Sequence, residues 1–233
     1  MDFALDKALK EMTLEENNPI KLKYVPKLNA RERNGCSLMG RLLNPGFQKM
    51  SSLIHDMPRY WRVYERCRGI ALSNEAFQFV FDSESELQTV LNAGAWTYED
   101  WSMVLERWVE EPPENYLKTI PIWVRMRNVP LVWYDAEAIE EIVGHLGQVT
   151  EAAFDPMKPQ SKGFVRVKIL FDVSKLLSNS KEFELPEGEV VSIKFEYERI
   201  RKRCYSCQRL THDKSKCLYD PLNRHLGATV KIP

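Results

Sequence analysis

An α+β fold is predicted from three observations. Segments with strand-like alternation, such as AFQFVFD at 76–82 and GFVRVKILFDV at 163–173, are interleaved with segments whose apolar residues recur at helical spacing. From residue 36 onward the first six of these run strand, helix, strand, strand, helix, strand. After the last strand comes RCYSCQRLTHDKSKC at 203–217, rich in cysteine and cations and too short for a core of its own.

Residues 1–34 read as an N-terminal lead-in, partly helical through Phe3, Leu5, Leu9 and Met12 until ENNP stops the pattern. CSLMGRLL (36–43) reads as a strand. NPGFQKMSSLIHDMPRYW (44–61) opens with turn residues and continues as a helix through Phe47, Met50, Leu53, Ile54 and Met57. RGIALS (68–73) and AFQFVFD (76–82) are two strands joined at Asn74-Glu75. SESELQTVLNAG (83–94) is a helix with a Ser83-to-Glu86 capping box and a Gly94 stop. WSMVLERWV (101–109) is the next strand. Residues 35–110 therefore have the β-α-β-β-α-β order of a ferredoxin-like unit, the order shared by RNA-recognition domains.

EEPPEN (110–115) is a linker, and 116–198 holds a looser set. TIPIWVRMRNV (119–129) is a strand, 135–147 a helix capped by Asp135, and 147–155 and 163–173 are strands. A short segment replaces the second helix, and EVVSIKFEYE (189–198) closes the set. Two readings stand: a second, degenerate α+β half-unit packed on the first, which is adopted, or an extension of one larger domain. A zinc knuckle at 199–219 and a tail at 220–233 complete the division.

Composition is globular: 44% hydrophobic, 28% charged, 13 prolines in 233 residues. No apolar run nears the roughly 18 residues needed to span a bilayer, and no signal-peptide pattern opens the chain, so a soluble protein of the nucleus or cytoplasm is expected. The net charge of zero hides a split. Residues 1–198 carry 24 Lys and Arg against 31 Asp and Glu, while 199–233 carry 9 against 2. A basic module thus follows a mildly acidic body.

The odd count of five cysteines in a chain with no secretory signal argues against a disulfide framework. Cys36 and Cys67 sit in apolar contexts and read as plain buried thiols. The other three fall in the pattern Cys204-x2-Cys207-x4-His212-x4-Cys217. Three thiolates and one imidazole make the closed tetrahedral set of a structural Zn²⁺ site, with no position left for water. The short first spacing forms a turn whose N–H groups can point at the sulfurs. Metal binding is expected to drive folding of the segment, on the scale of about 10–16 kcal/mol.

Arg199, Arg201, Lys202, Arg203, Arg209, Lys214 and Lys216 surround these ligands, with Asp213 the one acid from 199 to 217. Each cation that reaches a phosphate releases counterions, so salt-sensitive nucleic-acid binding is expected. Tyr205, between the first two cysteines, is placed to stack on a single-stranded base. A solvated tail or an import signal is the bland alternative.

Elsewhere, Phe77, Phe79 and Phe81 occupy the strand that reads bases in RNA-recognition domains. However, 69–117 holds ten acids against Arg107 alone, so core packing is the better reading. Residues 158–181 carry six cations against Asp172. There KGFVRV partly matches the RNA-recognition signature, and alternation puts Phe164, Arg166 and Lys168 on one face, with Lys162 just ahead. These four are candidate contacts. Residues 59–68 could be a contact strip or a helix exit. Trp96, Trp101, Trp108, Trp123 and Trp133 read as core or rim packing. No Gly-Lys-Ser/Thr loop, Gly-x-Ser-x-Gly or His-Glu-x-x-His is present, and a non-enzyme is expected. A protein-interaction adaptor, with zinc as a staple, is the alternative to nucleic-acid binding.

The chain resembles the plant domain of unknown function 4283 followed by a CCHC zinc knuckle, over roughly residues 35–217. The marks are LMGRLL (38–43), AFQFVFDSESE (76–86), VLNAGAWTYEDWSMVLERW (90–108), IPIWVRMRNVPLVWYDAEAIEEIVGHLGQV (120–149), VRVKILFDVSKLL (165–177) and FEYERIRKRCYSCQRLTHDKSKC (195–217). That arrangement is typical of the first open-reading-frame protein of plant LINE-type retrotransposons and of host genes derived from them. The resemblance implies an RNA-recognition-like fold, binding of single-stranded nucleic acid and no catalysis; the sequence leaves RNA or DNA open, with RNA the expected partner. It carries the metal role onto Cys204, Cys207, His212 and Cys217. Three positions depart: Thr211 stands where the family has Gly before the knuckle His, Leu176 where it has Pro, and Ala95 where it has Pro before Trp. Thr211 is expected to strain or reshape the loop. No reverse transcriptase or nuclease follows the knuckle, so a host-encoded relic or a truncated derivative is expected.

Overall fold

The computed structural model describes residues 30–153, 163–186, 188–221 and 223. The expectations for residues 1–29, Lys158, Lys162, His225 and the tail beyond 223 lie outside them. The fold is α+β: ten strands form two five-stranded antiparallel sheets, with few helices. Among the described residues no helix is long and apolar enough to cross a membrane.

A short helix α1 (Ala30–Asn34) leads into β1 (Ser37–Leu42), α2 (Met50–Tyr60), β2 (Cys67–Ala71), β3 (Ala76–Phe81), α3 (Glu84–Asn92), β4 (Trp96–Tyr98) and β5 (Trp101–Arg107). The sheet order is β2-β3-β1-β5-β4. Leaving out the edge strand β4, this is the ferredoxin-like arrangement, with the first and third strands central. Ser83 caps α3 by accepting from the Glu86 N–H at 3.4 Å. The helices cover one sheet face, where Leu38, Leu42, Phe77, Phe79, Phe81 and Met103 pack with Leu53, Met57, Trp61, Leu87 and Val90. The three phenylalanines are 0–3% exposed, so they are core. Gly40 permits this packing, because a Cβ there would stand 2.1 Å from the Phe77 ring.

The second unit repeats the plan: β6 (Thr119–Arg127), α4 (Ala136–Gly144), β7 (Gln148–Ala153), β8 (Val165–Asp172), β9 (Ser180–Glu184) and β10 (Val190–Tyr197). Its order, β7-β8-β6-β10-β9, matches the first strand for strand. Asp135 caps α4, accepting from the Ala138 N–H at 2.9 Å. Along β6 and β8 burial alternates, so Ile120, Ile122, Val124, Met126, Val165, Val167, Ile169 and Phe171 face α4. No helix lies between β8 and β9. Residues 173–179 run where one is expected, and Val173 and Leu177 fill the core from there.

Two other parts of the chain complete that core: Leu43 and Val104 from the first unit, and Leu210 from the cysteine-rich segment, fully buried. The backbone joins in, with the Leu177 N–H donating to the Gln208 carbonyl at 3.1 Å. The segment is therefore not a coreless appendage; it borrows the core of the second sheet.

The other face of the first sheet is closed. Ser37, Gln78 and Ser102 on it are buried, and Gln78 donates to Asn34 Oδ1 at 2.7 Å. The linker lies against the same face, with Arg41 Nε donating to the Leu117 carbonyl at 3.1 Å and the Leu117 N–H to Glu106 Oε1 at 3.1 Å.

Candidate metal centre and nucleic-acid surface

The ligand atoms of Cys204, Cys207, His212 and Cys217 all lie within 4.8 Å of one another. A tetrahedral ion held by sulfur at about 2.3 Å and nitrogen at about 2.0 Å has ligand–ligand edges of about 3.5–3.8 Å. Cys207 Sγ stands 3.2 Å from His212 Nε2, so the imidazole presents that nitrogen to the sulfurs. The four fit a metal ion.

Local backbone builds this set. The Gln208 N–H returns to the Cys204 carbonyl at 2.8 Å, and the Cys204 N–H donates to the Arg209 carbonyl at 2.8 Å. Burial opposes ionisation of Cys204, but the N–H groups of Cys207 and Ser206 and the neighbouring thiols outweigh it and lower its pKa. Burial pushes Cys207 up to about 12, against one N–H from Arg209. A dication bound here would displace the thiol protons that remain. Burial and then the Arg209 guanidinium lower the pKa of His212, leaving the neutral imidazole that a metal needs.

Thr211 does not strain the loop. Its backbone is not among the positive-φ positions, which here include Gln208 at 62°. Its Oγ1 lies 3.2 Å from His212 Nδ1. Were a metal held on Nε2, the proton would sit on Nδ1, where the Thr211 hydroxyl could accept it and orient the ring.

The cations flanking the ligands are mostly engaged. Arg199, at φ 63°, donates to the Ala93 carbonyl at the C-cap of α3. Arg201 and Lys202 both reach Asp100, at 3.2 and 3.5 Å. Arg203 donates to Asn179 Oδ1 at 2.6 Å, and Arg209 lies over the Tyr219 ring at 4.8 Å. Lys214 lies 3.6 Å from Asp220. Lys216 is exposed beside the Gly46 backbone. Tyr205 is 76% exposed and shares a hollow with Arg201 and Arg203. Residues 199–203 are therefore a strap bound to both units rather than a free basic tail.

The second sheet is different, because among the described residues its face away from α4 stays partly exposed. It carries Trp123, Arg125 and Arg127 from β6 and Arg166 and Lys168 from β8, with Phe164 just before that strand. Arg125 and Arg166 are direct cross-strand partners, a like-charge pairing that repels. Glu198 resolves it, accepting from Arg125 Nε at 2.7 Å and from Arg166 Nε and Nη2 at 2.9 and 2.8 Å. The Arg166 hydrogen bonds, opposed by partial burial and helped by Arg125, bring the Glu198 carboxyl down to about 2. Arg166 lies 3.7 Å from the Trp123 ring centroid, and Arg125 and Arg127 lie 4.9 and 5.4 Å from that of Phe164. Lys168 stands 4.0 Å from Glu151. Phe164, Arg166 and Lys168 thus share one face, while Lys162 lies outside the described residues.

Trp123 corrects the packing assignment: it is half-buried on the open face, under a guanidinium. The signal was in its spacing from Arg125 and Arg127, two and four residues along a strand. Residues 59–68 are a helix exit, where Arg59 stacks on Tyr64 and Arg66 pairs with Glu86. Burial raises the pKa of Cys36, and that of Cys67 to about 12, as suits unreactive thiols.

Residues 30–114 match the family described as Domain of unknown function (DUF4283), and residues 171–219 the one described as Zinc knuckle, of the CCHC type. An uncharacterized protein of Arabidopsis thaliana is 32% identical over 149 residues, which cover 63% of this chain and 48% of that protein. The chain thus spans about half the length of this curated relative. Two solved structures are similar at a greater distance. One concerns interdomain RRM packing in the rna15, hrp1, anchor RNA 3′ processing ternary complex, at 15% identity and TM-score 0.30, covering 72% of this chain and 98% of that one. The other holds the N-terminal three RNA binding domains of the yeast splicing factor Prp24, at 12% identity and TM-score 0.24, covering 60% and 55%. The fold assignment rests on strand order and register, not on these overlays. The first unit thus matches the DUF4283 model, and the stretch from the end of β8 through the Cys-Cys-His-Cys cluster matches a zinc knuckle.

Proposed function

We propose that this protein binds single-stranded nucleic acid, RNA in particular, through the open face of its second sheet and a zinc-loaded knuckle, and acts by binding alone. One observation carries the reading. Trp123 and Phe164 lie on an uncovered sheet face among Arg125, Arg127, Arg166 and Lys168, whereas the matching face of the first sheet is closed. Flat rings supply sequence-tolerant stacking of about 1–3 kcal/mol per base, and the cations supply the salt-dependent grip. Zinc is the metal that three thiolates and an imidazole favour, and the closed set leaves no position for a reacting water. On the family resemblance we take the protein to be retrotransposon-derived and to act in the nucleus or cytoplasm; the Arabidopsis thaliana relative supports a plant source.

The test is binding of labelled single-stranded RNA and DNA by zinc-loaded protein across a salt series. Wild type is expected to bind with a steep salt dependence. Arg125→Ala with Arg127→Ala is expected to lower affinity and flatten the slope by about 1.4, at about 0.7 per lost phosphate contact. Cys204→Ser with Cys207→Ser is expected to lower affinity as well. Absent or salt-insensitive binding, unchanged in these variants, overturns the reading and favours a protein-interaction adaptor stapled by zinc.

A further inference from the structure

Between the first unit and the strap lies a cleft of about 700 Å³, lined by Tyr60, Trp96, Glu99, Asp100, Arg199 and Arg201 among others. Its size is that of a small-ligand site. Arg199 also lines the hollow on the open face of the second sheet, and Arg201 the hollow beside Tyr205 of the knuckle. The three concavities therefore share walls, and this cleft sits where a strand crossing the sheet toward the knuckle must turn.

Its chemistry has three parts. Tyr60, the last residue of α2, is 61% exposed. It offers a flat ring at the mouth, with the half-buried Trp96 behind it. Arg201 and Lys202 supply positive charge, with Arg201 projecting from the strap that forms one wall. Asp100 holds those two cations at 3.2 and 3.5 Å, as a phosphate would.

The turn presenting that carboxylate is itself unusual. Glu99 and Asp100, between β4 and β5, have φ of 50° and 66°. This is the two-residue hairpin turn that normally takes Asn-Gly, and neither residue here is glycine. Strain retained at one spot is a pointer to use. Here it sets a carboxylate against the two cations.

We infer that this cleft binds one nucleotide of a single strand, its base on Tyr60 and its phosphate on Arg201 and Lys202, and that Asp100 is the resident competitor the phosphate displaces. The inference rests on the reading given under Proposed function and adds a site to it. The face of the second sheet and the cleft then form one bent track, and Asp100 sets how tightly its middle is held.

Two substitutions move affinity in opposite directions if this is so. Tyr60→Ala removes the stacking ring from an exposed position and is expected to weaken binding of a 12-nucleotide single-stranded RNA at least about five-fold. Asp100→Asn keeps a residue that tolerates the left-handed turn and removes the competing charge. It is expected to tighten binding about two- to five-fold, the range of a surface ion pair. Both are measured by fluorescence anisotropy on full-length, zinc-loaded protein, with thermal midpoints showing that each variant is folded. Unchanged affinity in Tyr60→Ala, or equal or weaker binding in Asp100→Asn, overturns the cleft assignment. If Arg125→Ala with Arg127→Ala weakens binding in the same assay while these two variants behave as wild type, the cleft alone fails. If wild type does not bind, the functional reading fails and takes this inference with it.

Discussion

Leu210→Ala tests whether the knuckle and the second sheet are one folding unit. Leu210 is fully buried among side chains of that sheet, together with Leu177 at 0% exposure, and lies between the ligands Cys207 and His212. Truncating a fully buried leucine removes its transfer free energy and leaves a cavity, at about 2–5 kcal/mol. Leu210 belongs to a core to which separate chain segments contribute, Leu43, Val104 and Leu177 among them, which limits collapse around a cavity there. About 3 kcal/mol is therefore expected. With a urea slope of about 2 kcal/mol/M for a chain of this size, the midpoint falls by about 1.5 M. The assay is urea unfolding of zinc-saturated protein, followed by tryptophan fluorescence, to which Trp123 and Trp133 of the second unit contribute beside the four tryptophans of the first. Chelating the metal from wild type is expected to lower the same transition. A midpoint shift under about 0.25 M in Leu210→Ala, with a chelated body as stable as the loaded one, would refute the shared core and leave the knuckle an independent appendage.

Thr211→Val keeps the shape but removes the hydroxyl beside His212 Nδ1, and is expected to weaken zinc about 10-fold in competition with a chromophoric chelator. Thr211→Ser is expected to restore most of that loss. Because the folded pKa of Glu198 is depressed to about 2 from 4.5, its contribution to stability is present above pH 4.5 and fades as pH falls toward 2. Glu198→Gln is therefore expected to lower stability by about 1–2 kcal/mol at pH 7, with the gap to wild type narrowing at pH 3 in urea unfolding.

The strands with a buried face were legible because their alternation survives in sequence. β1, β3, β6, β8 and β10 fall within a residue or two of the ranges read from period alone. So were the caps at Ser83 and Asp135, which announce themselves by residue type. Of the four edge strands, β2 and β7 were read and β4 and β9 were not. β9 is SKEFE, exposed along nearly its whole length, and β4 is three residues long. Each gains its identity from pairing with the next strand, and a polar edge has no burial pattern to read. The Cys204, Cys207, His212, Cys217 spacing was legible because metal geometry needs only residue types at fixed intervals. The fate of the cations was not. Arg201 and Lys202 meet Asp100 a hundred residues away, and Arg199 reaches Ala93, so sequence neighbours said nothing of their partners. Trp123 was misplaced because an aromatic on a strand is usually packed, and only the open second face made it otherwise.

The absence of a helix between β8 and β9 has a consequence for the order in which the protein assembles. During synthesis the first sheet has all its strands once Arg107 has emerged. β6, made soon afterward, is central to the second sheet but must wait for β10 as one neighbour and for Leu210 as its last filler. The second sheet thus stays unfinished until β10 and Leu210 have been made, and until then its apolar face is exposed and prone to stick.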